Sequence, residues 1–164
     1  MAARVKAAVN TGTGEVLQLQ LLEKDKNTTY DWSGGGRHIN VGKVLGKSVW
    51  RADSGYDQND RDVFGYYLFN SPEGEAPLRE SFREIGTNLG IRPAQVSKSV
   101  GRLNVGGILI EAEKIGRVTF YKLNARAAYD GSAVAQRLAT ASVRHPVVPC
   151  PAPKKPARKK KETS

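Results

Sequence analysis

The stretch SFREIGTNLGIRPAQVSKSVGRL, Ser81 to Leu103, limits the fold more than any other part of the chain. Ser81, followed three residues later by Glu84, is the capping-box pattern that opens a helix. Phe82, Ile85 and Leu89 then share one helical face. Gly90 stands where the chain must turn left-handed to leave the helix, a conformation only glycine adopts cheaply. Gly86 lies where a side chain would obstruct close approach of the next helix, and Ile91 plugs the corner. Pro93 or Ala94 starts that next helix, proline being suited to a first turn. Val96, Val100 and Leu103, spaced i, i+4, i+7, are its buried stripe. Two short helices joined by a tight turn containing glycine form a helix-turn-helix.

The face opposite that stripe holds Gln95, Ser97, Lys98, Ser99 and Arg102, with Arg92 at the entrance. No acidic residue occurs from Arg92 to Ile110. Negative side chains would repel phosphate, while Arg, Lys, Gln and Ser donate to phosphate or to base acceptors. A second helix of this kind lies in the major groove. Gly106-Gly107 stops the helix. Ile108 to Glu113 reads as a strand, Lys114-Ile115-Gly116-Arg117 as a hairpin turn, and Val118 to Leu123 as the return strand, rich in β-formers. A helix-turn-helix followed by a hairpin is a winged helix. Lys114 and Arg117 at its wing tip would reach phosphate or an adjacent minor groove.

Upstream, Val63, Tyr66, Tyr67 and Asn70 fall at helical spacing from Asn59 to Asn70, with Phe64 and Leu68 alongside. Asp57 or Asn59 is placed to cap the start, and Ser71-Pro72-Glu73-Gly74 to end it. Asp57, Asp60 and Asp62 read as capping and solvated charges favoured by the helix dipole. Leu78 is placed in a short strand after Pro77. Val16 to Leu22 alternates in part, as a half-buried strand does. Asp31 to Gly36 is a turn or loop, and its three glycines fit neither phosphate-loop spacing. Val134, Leu138 and Ala141 fall at helical spacing between Ala133 and Val143. The expected fold class is α+β: a winged helix-turn-helix, with a three-helix core and a β-hairpin wing, over residues 57–143. An N-terminal extension with short strands and the Gly34–Gly36 loop covers 1–56. A disordered Pro/Lys-rich basic tail covers 144–164.

Charge supports the same direction. The 164 residues carry a net +10, with a sequence pI near 9.9, which favours a polyanionic partner. The C-terminus holds five of the eight prolines and cannot form a helix or a central strand. Its Lys154, Lys155, Arg158, Lys159, Lys160 and Lys161 stand against Glu162 alone, a basic arm suited to non-specific phosphate contact.

The residues Leu78 to Asn124 resemble the MarR-like winged helix of bacterial regulators. A closer resemblance is to plasmid replication proteins of the RepL type, which combine a "tGEV" stretch, here TGTGEV at Thr11 to Val16, with a winged helix. The family's wing runs into a "Y-x-LNP…KG" ending, here YKLNARAAYDGSA from Tyr121 to Ala133. Ala125 stands where the family has Pro, and Asp130 where it has Lys. The resemblance implies sequence-specific duplex binding at a plasmid origin or promoter. It carries over Arg92, Gln95, Ser97, Lys98 and Arg102 as contact positions.

No enzyme is expected. His38 and His145 lie in a Gly-rich loop and a Pro-rich tail, without a context that would orient a nucleophile. No carboxylate cluster suggests a metal, and no cofactor is implied. The single Cys150 excludes a disulfide framework within one chain. No apolar run approaches the ~20 residues of a membrane span, and the N-terminus has no signal-peptide core. The expectation is a cytoplasmic protein, nucleoid- or plasmid-associated, that binds double-stranded DNA as a homodimer. The residues before Leu78 and the Tyr129–Val143 segment would supply its dimer contacts. The alternatives are a winged-helix protein-interaction module and an RNA binder, each with a non-specific basic surface.

Overall fold

The computed structural model describes residues 6–9, 16–19 and 37–151. The Gly34–Gly36 loop, Thr11 to Glu15 and the six tail cations lie outside the described residues. The chain divides at Arg37/His38 into two units. In the first, β1 (Lys6–Val9) pairs antiparallel with β2 (Val16–Leu19), Val9 opposite Val16. The sequence reading placed a strand at Val16 but did not foresee its partner.

The second unit is α+β. It runs β3 (Asn40–Val41), α1 (Lys43–Trp50), a 3-10 turn (Ala52–Ser54), α2 (Gln58–Asn70), α3 (Phe82–Leu89), α4 (Pro93–Val105), β4 (Leu109–Ile115), β5 (Val118–Leu123), β6 (Ala128–Tyr129) and α5 (Ala133–Thr140). The domain boundary therefore lies ahead of the expected one between residues 56 and 57. β3 and α1 belong with the helices, because Val49 is buried in their common core and β3 pairs with β6. α1 was missed because its short run KVLGKSVW carries a mid-helix glycine and has no side-chain cap.

The core forms where α2, α3 and α4 meet. Val63, Phe64 and Tyr67 of α2, Ile85 of α3, and Val96, Val100 and Leu103 of α4 are almost wholly buried. Burial of side chains this size stabilises by roughly 1.5–3 kcal/mol each. α3 carries the expected capping box: Ser81 Oγ accepts from the Glu84 N–H, and Glu84 Oε2 accepts from the Ser81 N–H at 2.7 Å. Gly90 is left-handed at φ 69°. A Cβ on Gly86 would lie 2.6 Å from the Ile91 carbonyl oxygen, so only glycine lets the corner close. β4 and β5 form the hairpin, and Leu78 adds an isolated bridge to Tyr121 on its outer edge.

One further expectation needs correction. Residues 144–151 are not part of a disordered tail. The Val147 N–H donates to Gly106 O and the Cys150 N–H to Ser54 O, both at 2.8 Å. Val148 and Cys150 pack on the core. The segment is a strap over the ends of α4 and the 3-10 turn. Buried Asn124 holds its start by donating to Arg144 O at 2.8 Å and Gly107 O at 2.6 Å. α5 forms where expected, but Ala139 is its buried residue while Val134 and Leu138 are 71% and 74% exposed. The spacing located the helix without fixing the face it packs.

Candidate nucleic-acid interface

α4 begins with Pro93, whose fixed φ suits the first turn. The Arg92 N–H donates to Gln95 Oε1 at 3.3 Å, so Gln95 is drawn toward the helix start. Because Val96, Val100 and Leu103 face inward, α4 turns outward Ala94, Gln95, Ser97, Lys98, Gly101 and Val105. Arg92, at its N-cap, is exposed as well. The Arg92 guanidinium and the Lys98 ammonium make no hydrogen bond or ion pair among the described residues.

Two predicted contact residues are not on that face. Ser99 is only 2% exposed and sits beside Val100 in the core. Arg102 turns back onto the start of α2. Its Nη1 lies 2.7 Å from Asp57 Oδ2 and 3.1 Å from Asp60 Oδ2, and its Nη2 donates to Gly55 O. The solvated reading of Asp60 is corrected with it. The Asp60 carboxylate is buried, caps the Asp57 N–H at 2.9 Å, and leaves Oδ1 with no partner. Burial lowers the Arg102 pKa, but the neighbouring Cys150, Asp60 and Asp57 outweigh it and leave it raised. The signal for this pair was available: Asp57 and Asp60, three apart at a helix start, form a capping box that needs a cation once Asp60 is buried.

The hairpin is longer than the sequence reading allowed. Lys114 pairs with Thr119 inside the ladder and Ile115 with Val118. The turn is thus Gly116-Arg117 alone, with Gly116 at φ 60°, as a tight two-residue hairpin requires. Lys114, Ile115, Gly116, Arg117 and Val118 are all exposed. The hairpin is tied to the segment before α3 by Arg79 to Glu113 at 3.0 Å and Lys122 to Glu75 at 2.7 Å. Each pair is open to water on at least one partner and contributes little.

Sequence reasoning missed Gly101 and Arg83. A Cβ on Gly101 would meet nothing within 4 Å. An outward glycine in mid-helix costs about 1 kcal/mol against alanine, and no contact within the chain requires it. Arg83 stands exposed on α3, and its guanidinium makes no hydrogen bond or ion pair among the described residues. Among the described residues no three His, Cys, Asp or Glu side chains are grouped to hold a metal ion. No helix among them is long and apolar enough to cross a membrane. No protein-family model matches the chain, and no curated protein matches it.

Proposed function

We propose that this protein is a winged-helix protein that binds specific double-stranded DNA, in plasmid replication and copy control or in transcription regulation. The observation that carries the reading is the outward face of α4. Gln95, Ser97 and Lys98, with Arg92 at the entrance, point away from a fully buried stripe, and no carboxylate lies among them. A helix whose exposed face offers donors and no carboxylate suits base edges and phosphates in a major groove. Gly101 fits the same face, since its missing side chain leaves room for close backbone approach. Lys114 and Arg117 on the hairpin add phosphate contacts, and Lys154, Lys155, Arg158, Lys159, Lys160 and Lys161 add sequence-independent attraction. Exposed Val134 and Leu138 on α5 supply an apolar face for a second copy, and a dimer doubles the sequence that one small head reads. Ser99 and Arg102 drop out of the contact set and serve the scaffold.

The test is a titration of fluorescent duplex DNA from the gene's own upstream region against random duplex, at two salt concentrations. Tighter binding to the upstream duplex that survives higher salt supports the reading. Equal binding that vanishes with salt refutes sequence reading and leaves only charge at work.

A further inference from the structure

A groove of about 290 Å³ opens between the start of α3 and the hairpin. Phe82 and Tyr121 line it, their rings stacked at 6.3 Å and 26° and each only partly buried. Glu80 stands on one wall and Arg117 on the other. Glu80 is not a random surface charge. Its Oε2 accepts from the Tyr66 hydroxyl at 2.6 Å, and that hydroxyl in turn accepts from Asn88 Nδ2 at 2.6 Å. Two helices thus orient the carboxylate, while Oε1 makes no hydrogen bond among the described residues. Arg117 has no bonded partner among them either.

We propose that this groove binds a guanine nucleotide. Three features select the class. The aromatic pair offers a surface against which a flat ring system lies favourably. A carboxylate accepts best from two adjacent N–H donors. Among the nucleobases guanine carries that pair on one edge, whereas adenine sets a single amino group beside an acceptor nitrogen. Arg117 offers a planar fork suited to phosphate. The volume is at the bottom of the ~300–1,000 Å³ range of small-ligand clefts. The base therefore fills the groove and the phosphate stays at its rim, where Arg117 stands. The binding does not depend on the duplex reading. Only its consequence does: Arg117 is also a proposed hairpin contact, so an occupied groove competes with DNA for it.

The experiment is isothermal titration calorimetry of the full chain, without DNA, against guanosine 5′-monophosphate, adenosine 5′-monophosphate and inorganic phosphate. The expected result is saturable one-to-one binding of the guanine nucleotide. The adenine nucleotide should bind about ten- to a hundredfold more weakly, as loss of a charged hydrogen bond implies, and phosphate not measurably. Glu80→Gln should abolish the preference for guanine. Val118→Trp, which fills the groove from an exposed rim position, should abolish binding of both nucleotides with the circular dichroism spectrum unchanged. Absence of saturable binding at millimolar guanine nucleotide overturns the proposal, and so does equal binding of all three ligands. Neither outcome bears on the duplex titration, so the two readings fail separately.

Discussion

Arg102 separates a reading role from a scaffold role, and Arg102→Ala tests which it has. The substitution removes the cation that faces Asp60, whose side chain is 1% exposed against 28% for Arg102. Asp60 would keep one bond, from the Asp57 N–H at 2.9 Å, with no cation facing it. Removing one partner of a buried pair costs about 3–5 kcal/mol. Arg102 is partly exposed, so water can enter the vacated space, and a loss of about 2–4 kcal/mol follows from the same scale. That is a large share of the ~5–15 kcal/mol that a domain has. With a urea m-value of about 2 kcal/mol/M, the midpoint should fall by roughly 1–2 M at unchanged m. The double variant Arg102→Leu/Asp60→Asn should recover most of the loss, because no buried charge is left and the asparagine oxygen still caps Asp57. If Arg102 instead reads a base, Arg102→Ala leaves the midpoint in place and weakens specific duplex binding by ~1–3 kcal/mol. An unchanged urea midpoint refutes the scaffold argument outright.

Other substitutions probe the corner, the reading face, the cap and the strap. Gly86→Ala forces the α3–α4 corner apart, since the new methyl meets the Ile91 carbonyl; overpacking of this kind costs about 1–3 kcal/mol, readable as a lower thermal midpoint. Gly101→Ala should stabilise the free protein by up to ~1 kcal/mol while weakening duplex binding; a gain in both would mean that DNA does not approach α4 there. The Ser81 backbone N–H, and then its hydroxyl, hold the Glu84 carboxyl below the usual range. The stability this adds is present above the unfolded glutamate pKa and is lost as pH falls through the lower folded value. The urea midpoints of Glu84→Gln and the parent should therefore converge in acid; a constant gap would place the effect outside the cap. Deleting residues 152–164 should leave the thermal midpoint unchanged and flatten the salt dependence of DNA binding, whereas deleting 145–164 removes the strap and should lower the midpoint sharply.

The parts of this fold legible in the sequence are those fixed by local chemistry. Ser81 and Glu84 cap each other within one turn, Gly90 supplies its own left-handed bend, and Val96, Val100 and Leu103 repeat at helical spacing. Each of these signals is complete within a few residues. What escaped depends on partners far along the chain. Residues 144–151 look like a tail by composition, because nothing in HPVVPCP announces that Gly106 and Ser54 hold its backbone. Lone Val148 and Cys150 are too few to form a periodic stripe. Arg102 escaped for the same reason. A basic residue near the end of a polar helical face reads as a contact with solvent or phosphate. Its actual partners, Asp57 and Asp60, lie more than forty residues earlier. The helical spacing of Val134 and Leu138 located α5 but did not say what it packs on; the small Ala139 is what the neighbouring Ala125 and Tyr129 accept. The candidate interface is therefore smaller than the polar face written in the sequence. α4 divides its polar side chains, with Ser99 buried in the core, Arg102 tied to the start of α2, and Arg92, Gln95, Ser97 and Lys98 left outward. For the proposed duplex reading, α4 must be held at a fixed angle to be selective, and Arg102, lost from the contact set, is the side chain that ties it to the start of α2.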